Sequence, residues 1–175
     1  MPGPLHPATC TIIIRMETPE FKTVGIVGAG AMGRGIAQIA AQAGSKVLLF
    51  DTQADAVAKA RESVAAQWDK LVEKGRIDAA AAAAQKERLQ PAATLADLAP
   101  CDLIVEAIVE RLDVKKGLFA ELEGIVQPTA VLATNTSSLS VTAIAAGLKR
   151  PQQFAGFHFF NPVPLMKVVE CIAGL

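Results

Sequence analysis

Thr23-Val-Gly-Ile-Val-Gly-Ala-Gly-Ala-Met-Gly-Arg-Gly-Ile-Ala-Gln-Ile-Ala-Ala-Gln-Ala-Gly44 is the stretch on which the fold turns. Val24, Ile26 and Val27 are β-branched and do not alternate with polar residues, which predicts a strand buried on both faces, as in a parallel sheet. Six residues follow with glycine at the first, third and sixth places: Gly28, Ala29, Gly30, Ala31, Met32 and Gly33. Ile36, Ile39, Ala40 and Ala43 then recur at helical spacing, and Gly44 stands where such a helix stops.

Each glycine has a separate task in that spacing. Gly28 allows the tight turn out of the strand, Gly30 lets a pyrophosphate come close to the backbone, and Gly33 lets helix and strand pack together. The helix N-terminus presents free N–H groups and the positive end of its dipole to the phosphates. A second apolar strand, Lys46-Val-Leu-Leu-Phe-Asp51, follows and ends in an acid. Asp51 is placed to bind both ribose hydroxyls of an adenosine and to repel a 2′-phosphate, and Thr52-Gln53 offer no arginine to receive one. The cofactor expected is NAD, not NADP.

The rest of the chain repeats the alternation. Helices are predicted over Ala54 to Lys74 and Ile77 to Leu89, then a short strand over Leu89 to Thr94 and a helical turn at Leu95 to Ala99. A buried strand over Asp102 to Ala107 leads to a helix ending near Val126, and a strand over Ala130 to Thr134 leads to a helix over Val141 to Leu148 capped by Ser140. Phe154 to His158 and Met166 to Cys171 read as a hairpin centred near Pro164. The fold class is therefore α/β, a Rossmann-type, doubly wound and mostly parallel sheet with helices on both faces and a C-terminal antiparallel hairpin. Residues 1–20 read as a proline-marked leader and 21–175 as the domain. Met16 is an alternative start, and His6 in the leader reads as inert.

Composition narrows the classes. Among 175 residues, 17 basic and 17 acidic side chains balance, and no long basic run gives nucleic acid or a membrane surface a foothold. No apolar run reaches the length of a membrane span. Cys10, Cys101 and Cys171 are far apart in sequence, so neither a disulfide framework nor a metal site is expected, and a reducing cytoplasm is the expected setting.

The chemistry is read at the strand ends. In a doubly wound sheet Glu106, Asn135 with Ser137, and His158 fall at or just past the C-terminal ends of strands and converge on one crevice. The hairpin register sets Glu170 opposite His158, and a carboxylate on an imidazole fixes its tautomer and stabilises the imidazolium formed when it takes a proton. A structural histidine–glutamate pair is the competing reading; the cofactor motif favours catalysis. Ser137 can donate to a substrate oxygen, and the Asn135 amide can contact cofactor or substrate. No G-x-S-x-G elbow surrounds Ser137 or Ser138, which argues against nucleophilic hydrolysis.

Taken together, Gly28 to Gly33, Glu106-Ala-Ile-Val-Glu110 with Lys115, Asn135-Thr-Ser-Ser-Leu139 and His158-Phe-Phe-Asn-Pro-Val-Pro164 with Glu170 resemble the NAD-binding domain of the 3-hydroxyacyl-CoA dehydrogenases, from about Lys22 to Leu175. The resemblance implies reversible, NAD-dependent oxidation of (S)-3-hydroxyacyl-CoA to 3-ketoacyl-CoA, as in β-oxidation of fatty acids. It implies His158 as general base, Glu170 orienting it, and Ser137 contacting the substrate oxygen. It associates Glu110 and Lys115 with the cofactor, Lys74 with CoA, and the Asn161 segment with substrate. The family carries a second, helical domain that completes the cleft, adds a catalytic asparagine and forms a homodimer. None of it matches these 175 residues, so the chain is expected to bind NAD with little turnover of its own. Dehydrogenases of the 3-hydroxyisobutyrate or 6-phosphogluconate type lack the His-Phe-Phe-Asn-Pro run. A non-catalytic NAD-binding module is the remaining alternative.

Overall fold

The computed structural model describes residues 21–53, 55–166 and 168–174, so the leader, with His6, Cys10 and Met16, lies outside the described residues. The elements in chain order are β1 (Thr23–Val27), α1 (Ala31–Gln42), β2 (Lys46–Phe50), α2 (Ala56–Glu73), α3 (Ala79–Arg88), β3 (Leu89–Pro91), β4 (Leu103–Glu106), α4 (Leu112–Ile125), β5 (Val131–Thr134), α5 (Val141–Ala145), β6 (Phe154–Phe159) and β7 (Val169–Ala173). Short 3-10 turns at Leu95–Leu98 and Pro151–Gln153 lead into β4 and β6.

The strands form one sheet in the order β3-β2-β1-β4-β5-β6-β7, with every pair parallel except β6–β7. Chain order reverses between β1 and β4, the place where a doubly wound sheet opens a crevice past its strand ends. The expected Rossmann-type fold class is the one observed.

The apolar strands are divided between two cores. Val24, Ile26, Leu103 and Val105 point to one face, under α1, α2 and α3, with Leu49, Val64 and Trp68. Val27 and Ile104 point to the other, with Phe119 and Leu122 of α4 and Ile144 of α5. There Phe119 and Phe154 meet edge to face, their ring centroids 4.7 Å apart. β1, β2, β4 and β5 bury both faces along most of their length, which is why they read as continuous apolar runs rather than alternations.

Several boundaries differ from the sequence reading, and at three of them backbone groups find other partners. β3 ends at Pro91 rather than Thr94, since the N–H groups of Ala93 and Thr94 donate to Asp97 Oδ2 at 2.8 and 2.9 Å. α5 ends at Ala145 rather than Leu148, because Gly147 and Leu148 donate to carbonyls three residues back and the last turn tightens. β7 begins at Val169 rather than Met166, because Leu165 and Met166 both donate to the Pro162 carbonyl and hold the chain in a turn. β6 runs one residue past His158, to Phe159. Ser140 caps α5 as expected, accepting the Ala143 N–H at 3.1 Å.

Candidate active site

The loop after β1 is shaped by contacts that exclude side chains. Gly28 has φ 105°, a left-handed conformation, and a Cβ there would stand 2.5 Å from the Ala107 carbonyl oxygen. A Cβ on Gly33 would stand 1.8 Å from the Gly28 carbonyl oxygen. Gly30 differs: a Cβ there would meet nothing within 4 Å. It is the N-cap of α1, and no side chain caps that helix, which leaves first-turn N–H groups available to a ligand. Asp51, just past β2, accepts the Ala29 N–H at 2.7 Å and the Gln53 N–H at 2.8 Å. Its remaining lone pairs are free for ribose hydroxyls. An uncapped helix start, a bare glycine and a pinned acid fit the pyrophosphate and adenosine of a dinucleotide.

On the other side of the crevice, β6 and β7 pair in the register that sets His158 opposite Glu170. Nδ1 of His158 lies 2.8 Å from Glu170 Oε2, which directs Nε2 away from the carboxylate. The imidazole ring is 4.6 Å from the Phe160 ring and largely covered, its side chain 22% exposed, whereas Glu170 is open to water. A cleft joins His158 to Met32 of α1, to Ile108 and Glu110 past β4, to Asn135 and Ser137 past β5, and to Asn161. Asn135 Oδ1 accepts the Phe159 N–H at 2.9 Å, which fixes the amide orientation and leaves its NH2 group as the donor end.

Between these two halves lies a buried ionic group. Glu106, at the end of β4, is fully enclosed, and Oε1 lies 2.6 Å from Nζ of Lys115, itself 1% exposed. Lys115 Nζ is also 3.2 Å from Glu110 Oε2. Glu110 Oε1 accepts the Thr136 hydroxyl, the Ser137 N–H at 3.2 Å and the Ser138 hydroxyl at 3.3 Å. Burial pushes the Glu110 carboxyl up, but the Thr136 and Lys115 hydrogen bonds, the Lys115 charge and the Ser137 N–H outweigh it and hold the group below its ordinary range.

The crevice thus brings together His158, Ser137, Asn135, Glu110, Met32 and Asn161. It does not bring in Lys74, which is exposed at the end of α2 and lines no part of this cleft. The sequence reading missed Thr134 and Thr136. Thr136 Oγ1 also accepts the Leu139 N–H at 2.9 Å, a local serine/threonine turn, and a threonine just past a strand end is the signal for it. Among the described residues there is no group of three acids, histidines or cysteines that could hold a metal, and no helix long and apolar enough to cross a membrane.

The model of the family "3-hydroxyacyl-CoA dehydrogenase, NAD binding domain" matches residues 23–175. The chain is 46% identical over 156 residues to the 3-hydroxyadipyl-CoA dehydrogenase of Escherichia coli strain K12, covering 89% of this chain and 33% of that protein. It is 43% identical over 155 residues to the 3-hydroxybutyryl-CoA dehydrogenase of Bradyrhizobium diazoefficiens, covering 89% and 53%. The crystal structure of (S)-3-hydroxybutyryl-CoA dehydrogenase from Ralstonia eutropha superposes with a TM-score of 0.85 at 42% identity, covering 89% of this chain and 55% of that one. The chain spans about a third to about half the length of these relatives. It belongs to the 3-hydroxyacyl-CoA dehydrogenase family, as an NAD-binding domain, and NAD is its cofactor.

Proposed function

We propose that this chain is the cofactor-binding part of an enzyme that reversibly oxidises (S)-3-hydroxyacyl-CoA to 3-ketoacyl-CoA, with His158 as general base. The observation that carries this reading is the 2.8 Å His158–Glu170 contact in the same cleft as Ser137 and beside the glycine loop. NAD, when bound, supplies the acceptor for the hydride that leaves the carbinol carbon. The chain's own residues do the rest. Nε2 of His158 takes the hydroxyl proton, and Glu170 on Nδ1 holds the tautomer and stabilises the imidazolium. The Ser137 hydroxyl donates to the same substrate oxygen, and the Asn135 and Asn161 amides position what lies beside it.

The substrate's other contacts belong to the same proposal. Lys74 is assigned to the CoA moiety. A further, helical domain would cover Leu165, Met166, Val168 and Val169, apolar side chains that lie exposed along the hairpin. That domain would close the cleft over His158 and make the homodimer. The cytoplasm is the compartment proposed.

His158→Gln tests the base. In a protein joining this chain to the remaining length of such a relative, the variant is expected to lower the rate of acetoacetyl-CoA reduction by roughly 10²–10⁴-fold. Its affinity for NADH should stay unchanged. NADH absorbance follows the reaction. A full rate in the variant would overturn the assignment and leave a binding module without catalysis.

A further inference from the structure

Glu106 is the least expected group in the molecule. It is a carboxylate with no exposed surface, in a strand that is otherwise apolar, and nothing in the proposed chemistry uses it. Burying such a charge is costly unless it is paired and hydrogen-bonded. Here it is fully provided for. Oε1 accepts Lys115 Nζ at 2.6 Å and the Ile108 N–H at 2.7 Å, and Oε2 accepts the Thr134 hydroxyl at 2.7 Å. Its backbone carbonyl accepts the Asn135 N–H at 2.8 Å.

Those partners lie on three separate segments, two of which wall the cleft. Ile108 belongs to the turn after β4, Lys115 to the first turns of α4, and Thr134 and Asn135 to the end of β5 and the turn beyond. The ammonium of Lys115 bridges to Glu110, and Glu110 in turn receives Thr136, Ser137 and Ser138. An ammonium between two carboxylates is held in place only while both pull on it. Without the inner carboxylate, Lys115 and Glu110 would relax toward each other, and the Ser137 turn bonded to Glu110 would follow.

We propose that Glu106 is a positioning residue for the nicotinamide end of the site: it anchors Lys115 from behind, and through Lys115 it fixes Glu110 and the Asn135–Ser138 turn that carries Ser137. This inference rests on the reading of the cleft beside His158 as the nicotinamide and substrate end. The competing account makes Glu106 a fold anchor only, with no bearing on which part of a ligand is held.

The two accounts separate on the two halves of the cofactor. ADP engages the glycine loop and Asp51 alone, whereas NADH also reaches the cleft walled by Ile108 and Glu110. Glu106→Gln keeps the shape and most hydrogen bonds but removes the charge, and Lys115 retains Glu110, so no ammonium is left unpaired. By calorimetric titration, Glu106→Gln is expected to weaken NADH roughly ten- to hundredfold, the scale of one hydrogen bond to a charged group, while ADP affinity stays within about twofold. Unchanged NADH affinity, or an equal loss for NADH and ADP, would overturn the proposal. If Glu106→Gln does not fold, Glu106→Asp decides by the same comparison, since it keeps the charge and only withdraws it from Lys115; it is expected to show the same split with a smaller loss. Failure of the unsubstituted chain to bind NADH would be a different result, overturning the functional reading and this inference with it.

Discussion

Gly33→Ala is expected to cost the chain both stability and NADH binding, whereas Gly30→Ala should cost only the binding. The difference lies in what a methyl group meets. At Gly33 it would press to 1.8 Å on the Gly28 carbonyl oxygen, a backbone atom that moves only if the whole loop moves. Overpacking of this kind costs about 1–3 kcal/mol or more, and the displaced loop carries Ala29 off Asp51. At Gly30 the methyl group meets nothing, so the melting temperature should hold. The space it fills is the space a pyrophosphate needs, so NADH affinity should still fall tenfold or more, roughly one lost close contact with a charged group. Thermal unfolding and calorimetric titration of both variants check this. Gly30→Ala binding NADH like the unsubstituted chain would contradict the placement of the phosphates.

Lys115→Met is expected to give the largest loss of stability, about 3–5 kcal/mol. The methionine fills the space of the lysine stem, but Glu106 is left fully buried with only the Ile108 N–H and Thr134 hydroxyl as partners. An uncompensated charge in the core is more damaging than the pair is stabilising, because the desolvation cost stays while the attraction is lost. For a domain of this size that loss corresponds to a melting point lower by about 10 °C or more. Circular dichroism during heating reads it directly. A shift of only a degree or two would show that water reaches Glu106 and that the group is not the closed ionic centre described here. The surface pair Lys86–Asp69 is the contrast: Asp69 is exposed and Lys86 partly so, and breaking it should change little.

Much of this architecture was legible in the sequence, and the reasons are local. The central strands β1, β2, β4 and β5 are buried on both faces and so read as apolar runs, and the Gly28–Gly33 spacing follows from a backbone contact within the loop itself. The His158–Glu170 pairing was legible because an antiparallel hairpin has one register once its centre is placed near Pro164. The ionic centre was not. Lys115 and Lys116 are neighbours of the same type on α4, yet one is enclosed and the other exposed, and only the position of β4 beside that helix decides which. Glu106 was legible as a strand-end acid, but not as a group with four partners on three segments. Lys74 shows the same limit from the other side. It sits at the end of a helix predicted within a residue or two, and neither the sequence nor the fold around it contains the ligand surface it is assigned to.

Titration of the chain with NADH and NADPH in parallel tests the central claim most directly. Asp51, pinned by Ala29 and Gln53, keeps lone pairs free for ribose hydroxyls, and the Thr52-Gln53 that follow it supply no arginine to meet a 2′-phosphate. Saturable NADH binding, with NADPH weaker by tenfold or more, is the result expected of a carboxylate facing a phosphate. No binding of NADH, or equal binding of both, would contradict the account of Gly28 to Gly33 and Asp51 as an NAD site.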